Sequence, residues 1–287
     1  NNNRERASQL IENNKFVSCP AVLGLTPLHL TVDDASLVKK LLQKGADPNL
    51  RDHLEMTALR RAVRGKHTES VRILLEGGAK PPADPEPGST ALHDAVQMGS
   101  KEICRLLLKH GWPAGTEADL GPMLIAARTG NRELVKLLIE NGAEVTTGAL
   151  GYACRAGRPD VVQLLLKNGA PVNDKIFGET SALHMAARSV GLHRKASETS
   201  QFSGWLTGRW MTENQRKVVK KLTGKPAEAF TPDLTMPQKR EEGRNYAEVA
   251  RLLIEHGAEV DMRSGRGSTP LHVAARSGNW EVVKVLL

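Results

Sequence analysis

Aromatic residues make up only 3% of the 287 residues, and the chain has just 3 cysteines. So few aromatics are too few for a conventional large core, and packing must fall to Ala, Leu, Val and Ile. Cys19, Cys104 and Cys154 have no metal-like spacing, and they read as reduced thiols of an intracellular protein, cytoplasmic or nuclear. No apolar run reaches the roughly 18 residues that a membrane helix needs, and no secretory signal peptide is present. Also missing are a Gly-rich phosphate loop and any Ser-His-Asp or Cys-His pattern that spacing could support. The nine histidines form no ligand cluster. These absences leave an enzyme without candidate residues, so no catalysis, metal or cofactor is expected.

What the chain has is repetition. Thr26-Pro27-Leu28-His29 returns as Thr269-Pro270-Leu271-His272. Weaker copies start at Thr57, Thr90, Gly121, Gly148 and Ser181, and the first six starts are separated by 31, 33, 31, 27 and 33 residues. A small residue follows every start but the first, at Ala62, Ala95, Ala126, Ala153, Ala186 and Ala274. Next comes an apolar helical stretch such as Ile103-Cys104 with Leu106-Leu107-Leu108, and then a terminating pair such as Gly45-Ala46 or Gly257-Ala258. A Thr hydroxyl caps a helix, and Pro at the first helical position loses no hydrogen bond. Each unit therefore reads as helix, turn, helix and finger, with apolar faces that only neighbouring units can cover.

On these residues the chain resembles the ankyrin repeat, whose pattern is T-P-L-H-x-A at a period of about 33. The resemblance implies an all-α fold, an ankyrin-repeat solenoid of helix-turn-helix units with short loop or β-hairpin fingers. Seven units are expected, at 26–56, 57–89, 90–120, 121–147, 148–180, 181–268 and a truncated 269–287. Residues 1–25 read as part of a preceding repeat with its finger, as in a monomeric segment of a longer array. The resemblance also implies a protein-binding function and a structural bond from the motif His to adjacent loops. Arg60, Leu124 and Gly151 replace that His in three units.

Two spacings depart from the pattern. Gly142 and Gly148 are only six residues apart, where 12 is usual, so that finger should be nearly absent. Arg188 to Glu248 takes 60 residues, where Arg276 to Glu281 takes five, which implies a basic insertion at 190–244 splitting the sixth helix pair. Residues 189–247 hold 11 Lys and Arg against 6 Asp and Glu, which is +5 of the chain's net +8. Such an insertion is either loosely ordered decoration or a docking element. Within it, Trp205, Arg209, Trp210, Arg216 and Lys217 offer contacts to nucleic acid or an anionic membrane. Arg194-Lys195-Ala196-Ser197 has the form of a basophilic kinase site.

The leading reading is a non-catalytic scaffold for other proteins, acidic ones among them. Four residues after the motif His stand Arg64, Arg128, Arg155, Arg188 and Arg276, with Gln97 and Asp33 in the other two units. Equivalent positions align in a repeat stack, so these side chains would form a row of bidentate carboxylate donors on the concave face. Finger residues Arg51, His53, Trp112, Arg263 and Arg266 are the second candidate surface. Trp112 has two readings, an exposed interface anchor or a filler beneath a shortened finger.

Overall fold

A computed structural model describes residues 24–81, 90–115, 121–176, 179–188 and 245–287. The expected insertion at 190–244, with Trp205, Arg209, Trp210, Arg216, Lys217 and Ser197, lies outside the described residues, as does most of the expected partial repeat at 1–25. Among the described residues the regular elements are helices, joined by loops that hold two isolated β-bridges, Arg51–Thr57 and Ile176–Thr180.

The helices come in pairs: α1 (Pro27–Leu30) and α2 (Ala35–Gln43), α3 (Ala58–Arg64) and α4 (Thr68–Glu76), α5 (Ala91–Gln97) and α6 (Lys101–Lys109). After them come α7 (Pro122–Thr129) and α8 (Arg132–Glu140), then α9 (Thr147–Arg155) and α10 (Pro159–Lys167). The last pairs are α11 (Ala182–Ala187) with α12 (Tyr246–Glu255), and α13 (Pro270–Ser277) with α14 (Trp280–Leu286). The chain divides into two compact units, one of residues 1–126 and 133–144, the other of residues 127–132 and 145–287.

In the first unit α1, α3 and α5 lie side by side, and α2, α4 and α6 form a second row behind them. The second unit repeats the scheme with α9, α11 and α13 in front and α10, α12 and α14 behind. α11 packs directly on α12 although residues 189–244 separate them in sequence. The sequence explains the layering. Ala62, Ala95, Ala153, Ala186 and Ala274 are fully buried, and a methyl group lets front-row helices approach closely. The rear helices turn Leu and Val inward at three- and four-residue spacing, for example Val71, Leu74 and Leu75 on α4 and Val161, Val162 and Leu165 on α10. Each fully buried Leu contributes about 1.5–3 kcal/mol relative to exposure. The terminating glycines sit in left-handed backbone, as at Gly45 (φ 85°) and Gly257 (φ 86°), a conformation that strains any side chain.

One boundary differs from the sequence reading. The cap of α9 lies two residues before the motif position at Gly148: it is Thr146, whose hydroxyl accepts the Ala149 N–H at 3.2 Å. Glycine at 148 has no side chain with which to cap, so the nearest upstream hydroxyl takes the role.

Candidate functional site

The motif histidines are structural. The Thr26 hydroxyl meets His29 Nδ1 at 2.8 Å, and the same contact recurs as Thr90–His93 at 2.7 Å, Ser181–His184 at 2.8 Å and Thr269–His272 at 2.7 Å. On the far side of the ring, His29 Nε2 donates to the Met56 carbonyl at 2.9 Å, and His184 Nε2 donates to the Ser268 carbonyl at 2.9 Å. Since a carbonyl can only accept, Nδ1 of these neutral rings accepts the cap hydroxyl's proton. Burial is the largest influence on His29 and His184 and lowers both pKa values, which favours that neutral form. The rings of His29 and His184 thus tie their own helix caps to the following finger.

Where the histidine is missing, other residues join adjacent repeats. Arg60 Nε donates to Asp94 Oδ2 at 2.8 Å across two front-row helices, and both side chains are largely buried. At Gly151 the space of the absent side chain is taken by Ile176, whose Cδ1 would lie 2.5 Å from an added Cβ. A further link was not read from the sequence. Asn49 donates to the Gly78 carbonyl at 3.1 Å and accepts the Lys80 N–H at 2.9 Å. Asn173 does the same with the Gly257 carbonyl and the Glu259 N–H, both at 2.9 Å. The sequence signal was available, since Pro48-Asn49 and Val172-Asn173 each follow a Gly-Ala pair by the same count.

The first finger is pinned from within. Asp52 is buried and accepts the N–H groups of Leu54 (2.8 Å) and Met56 (3.0 Å), together with Nε of Arg61 (3.0 Å). Arg51 on its flank pairs with Glu55 at 2.8 Å. His53 at the tip is exposed, and its ring lies over Gly24, where an added Cβ would come within 2.8 Å. Arg263 and Arg266 are exposed on the last finger, whose turn is closed by the Gly267 N–H donating to the Ser264 carbonyl at 2.8 Å.

Trp112 is the exception among the finger candidates. It is only 4% exposed, so its assignment as a partner-contact residue is corrected. The indole is drawn inward because the residue after Gly111 is held against the end of its own rear helix, the Trp112 N–H donating to the Leu107 carbonyl at 3.1 Å. Its Nε1 has no hydrogen-bond partner among the described residues.

Arg64, Arg128, Arg155, Arg188 and Arg276 are all exposed, at or beside the C-terminal ends of α3, α7, α9, α11 and α13. Arg64 approaches the Met56 sulfur at 3.8 Å. Among the described residues, Arg128, Arg155, Arg188 and Arg276 have no ion-pair partner. Guanidinium groups in this state are open to an external carboxylate. No group of three or more His, Cys, Asp and Glu is placed to hold a metal among the described residues. Cys104 and Cys154 are buried, and burial pushes the Cys104 thiol up to about 12 and raises that of Cys154 as well, so neither is a ready nucleophile. No described helix is long and apolar enough to cross a membrane.

Paired helices in two rows, linked cap to finger, define a repeat protein of the ankyrin type. The chain belongs to the ankyrin-repeat family: a family profile described as ankyrin repeats (3 copies) matches residues 1–83, 28–115 and 123–197, and one described as ankyrin repeats (many copies) matches 92–139 and 240–287. The fold is similar to the crystal structure of the human ASB11 ankyrin repeat domain, with a TM-score of 0.62 and 24% identity over 91% of this chain and 96% of that one. It is also similar to the ankyrin repeat domain of Bcl-3, described as a unique member of the IkappaB protein family, with a TM-score of 0.60 and 26% identity over 92% of this chain and 98% of that one. Among curated proteins, 44 residues are 46% identical to Protein fem-1 homolog A-like of Mus musculus. Another match of 44 residues is 41% identical to Probable E3 ubiquitin-protein ligase XBOS32 of Oryza sativa subsp. japonica. These matches cover 15% of this chain and only 7% and 9% of the two relatives.

Proposed function

We propose that the chain is a non-catalytic scaffold that holds acidic segments of partner proteins along the exposed ends of its front-row helices, with the finger tips adding contacts. Ankyrin repeat domains generally bind proteins, and that general role is the starting point. The observation that carries the finer reading is the set of exposed arginines at one repeat-equivalent position, four of them without an ion-pair partner among the described residues. Arg is the side chain suited to bidentate carboxylate recognition, and a set of such guanidinium groups steers and holds anionic partners. Arg51 and His53 at the first finger and Arg263 and Arg266 at the last provide chemically different tips. The match to a probable ubiquitin ligase spans little more than one repeat, so it supports shared repeat architecture and no ligase activity.

The test uses the full chain and a short fluorescein-labelled Glu-rich peptide. Reversing Arg128 and Arg155 to Glu should weaken binding by about tenfold or more while the far-ultraviolet circular dichroism stays unchanged. Equal affinity in a folded variant would reject the reading.

A further inference from the structure

The arginine set has a geometry that selects among acidic ligands, a selectivity that rests on the proposed binding of acidic segments. In the second unit α9, α11 and α13 stand side by side. The C-terminal ends of α9 and α11 are bonded to the starts of the rear helices α12 and α14. The Gly157 carbonyl, just past α9, accepts the Asn245 N–H at 2.8 Å, and the Ala186 and Ala187 carbonyls of α11 accept from Asn279 Nδ2 at 3.4 and 3.5 Å. The same pair recurs three residues apart, Tyr152 with Arg155 on α9, Val273 with Arg276 on α13, and Met185 of α11 with Arg188, the residue that caps its C-terminus. Residues three apart on a helix are surface neighbours. In every pair the apolar member is half-buried and the arginine exposed.

Packed helices lie about 8–10 Å apart, so the guanidinium groups recur at about that interval. An extended β-strand returns a side chain to one face every two residues, at about 6.6–6.8 Å and then about 13 Å, and neither step matches. A polyproline-II segment has three residues per turn and rises about 3.1 Å per residue, so every third side chain returns after about 9.3 Å. We infer that α9, α11 and α13 read a polyproline-II segment carrying a carboxylate at every third position. Its intervening apolar or proline residues rest over Tyr152, Met185 and Val273. Such a segment is already extended in water, so little conformational entropy is lost when it binds.

The experiment measures fluorescence anisotropy with the full chain and four labelled peptides of equal length and net charge. One has Glu at every third position with Pro between, one has Glu at every second position, one has Glu in a single block, and one is helical with Glu at every seventh position. The third-position peptide should bind about tenfold tighter than the other three. That advantage should vanish in the Arg155→Glu/Arg188→Glu/Arg276→Glu variant, and a Lys-for-Glu version of the peptide should bind that variant. Equal affinity for all four peptides would overturn the inference while leaving the acidic-ligand reading standing, and so would tighter binding of the helical one. If no acidic peptide binds the folded wild-type chain, both fail. Should the triple variant not fold, the ranking of the four peptides on the wild-type chain decides the matter by itself.

Discussion

Asp52 shows how one side chain fixes a finger. Burial works most strongly against its ionisation, yet the Arg61 guanidinium and the N–H groups of Met56 and Leu54 outweigh it and hold the carboxyl below its ordinary 3.8. A carboxyl whose folded pKa is depressed adds stability that is complete above the unfolded value and is lost as the pH falls through the folded one. Asp52→Asn should therefore cost about 1–3 kcal/mol at neutral pH, because Arg61 and two backbone donors lose a charged acceptor. The gap between wild type and variant should stay constant down to about pH 4 and shrink below it. Urea unfolding of both proteins from pH 7 to pH 2 checks this, and a gap that widens in acid would contradict it. Single residues were also where the sequence was least legible. The replacement of a motif histidine by Arg60 was visible, but its partner Asp94 lies 34 positions away and becomes a neighbour only through stacking. Trp112 could be read as exposed or buried, because a position after a helix-ending glycine faces either way until the chain around it is placed.

At the scale of the element, periodicity carried most of the information. Apolar residues at three- and four-residue spacing located the rear helices, and most of the face the spacing marks is buried: on α8 Leu134, Val135 and Leu138 are, while Leu137 is buried in place of the marked Ile139. Helix starts were legible where a Thr or Ser stands in the motif, as at Thr57, Thr90, Ser181 and Thr269. At α9 the motif position holds Gly148, and the pattern then misplaced the start, since cap chemistry and not repeat register decides where a helix begins. Thr146→Ala should cost about 1 kcal/mol, the usual loss of a Thr cap, while Thr147→Ala should stay within about 0.5 kcal/mol. Denaturant midpoints of the two variants measure the difference, and the reverse order would return the helix start to the sequence-based position. The loops between helices were less legible: Asn49 and Asn173 follow a Gly-Ala pair by the same count, but they clamp backbone groups of the next repeat, which the pattern of side chains does not name.

For the whole molecule, each of the two compact units has the same construction, front helices on front helices and rear on rear. Stability in such a design is a sum of unit and neighbour terms, which frees exposed positions to vary in chemistry without disturbing the fold. The arginines use that freedom. They sit outside the buried rows, their charge adds to a net +8, and the half-buried Tyr152, Met185 and Val273 accompany three of them. The sequence exposed Arg155, Arg188 and Arg276 as a set because they stand at equivalent positions of repeats that pack as neighbours within the second unit. Which ligand spacing it fits became arguable only once α9, α11 and α13 were seen to stand side by side. The most direct measurement is an unbiased selection from a random peptide display library on the immobilised full chain, run in parallel on the Arg155→Glu/Arg188→Glu/Arg276→Glu variant. Enrichment of Asp and Glu with a three-residue period on the wild-type chain, and its loss on the variant, is the predicted result. Selection of peptides without acidic bias, or of the same peptides by both proteins, would contradict it.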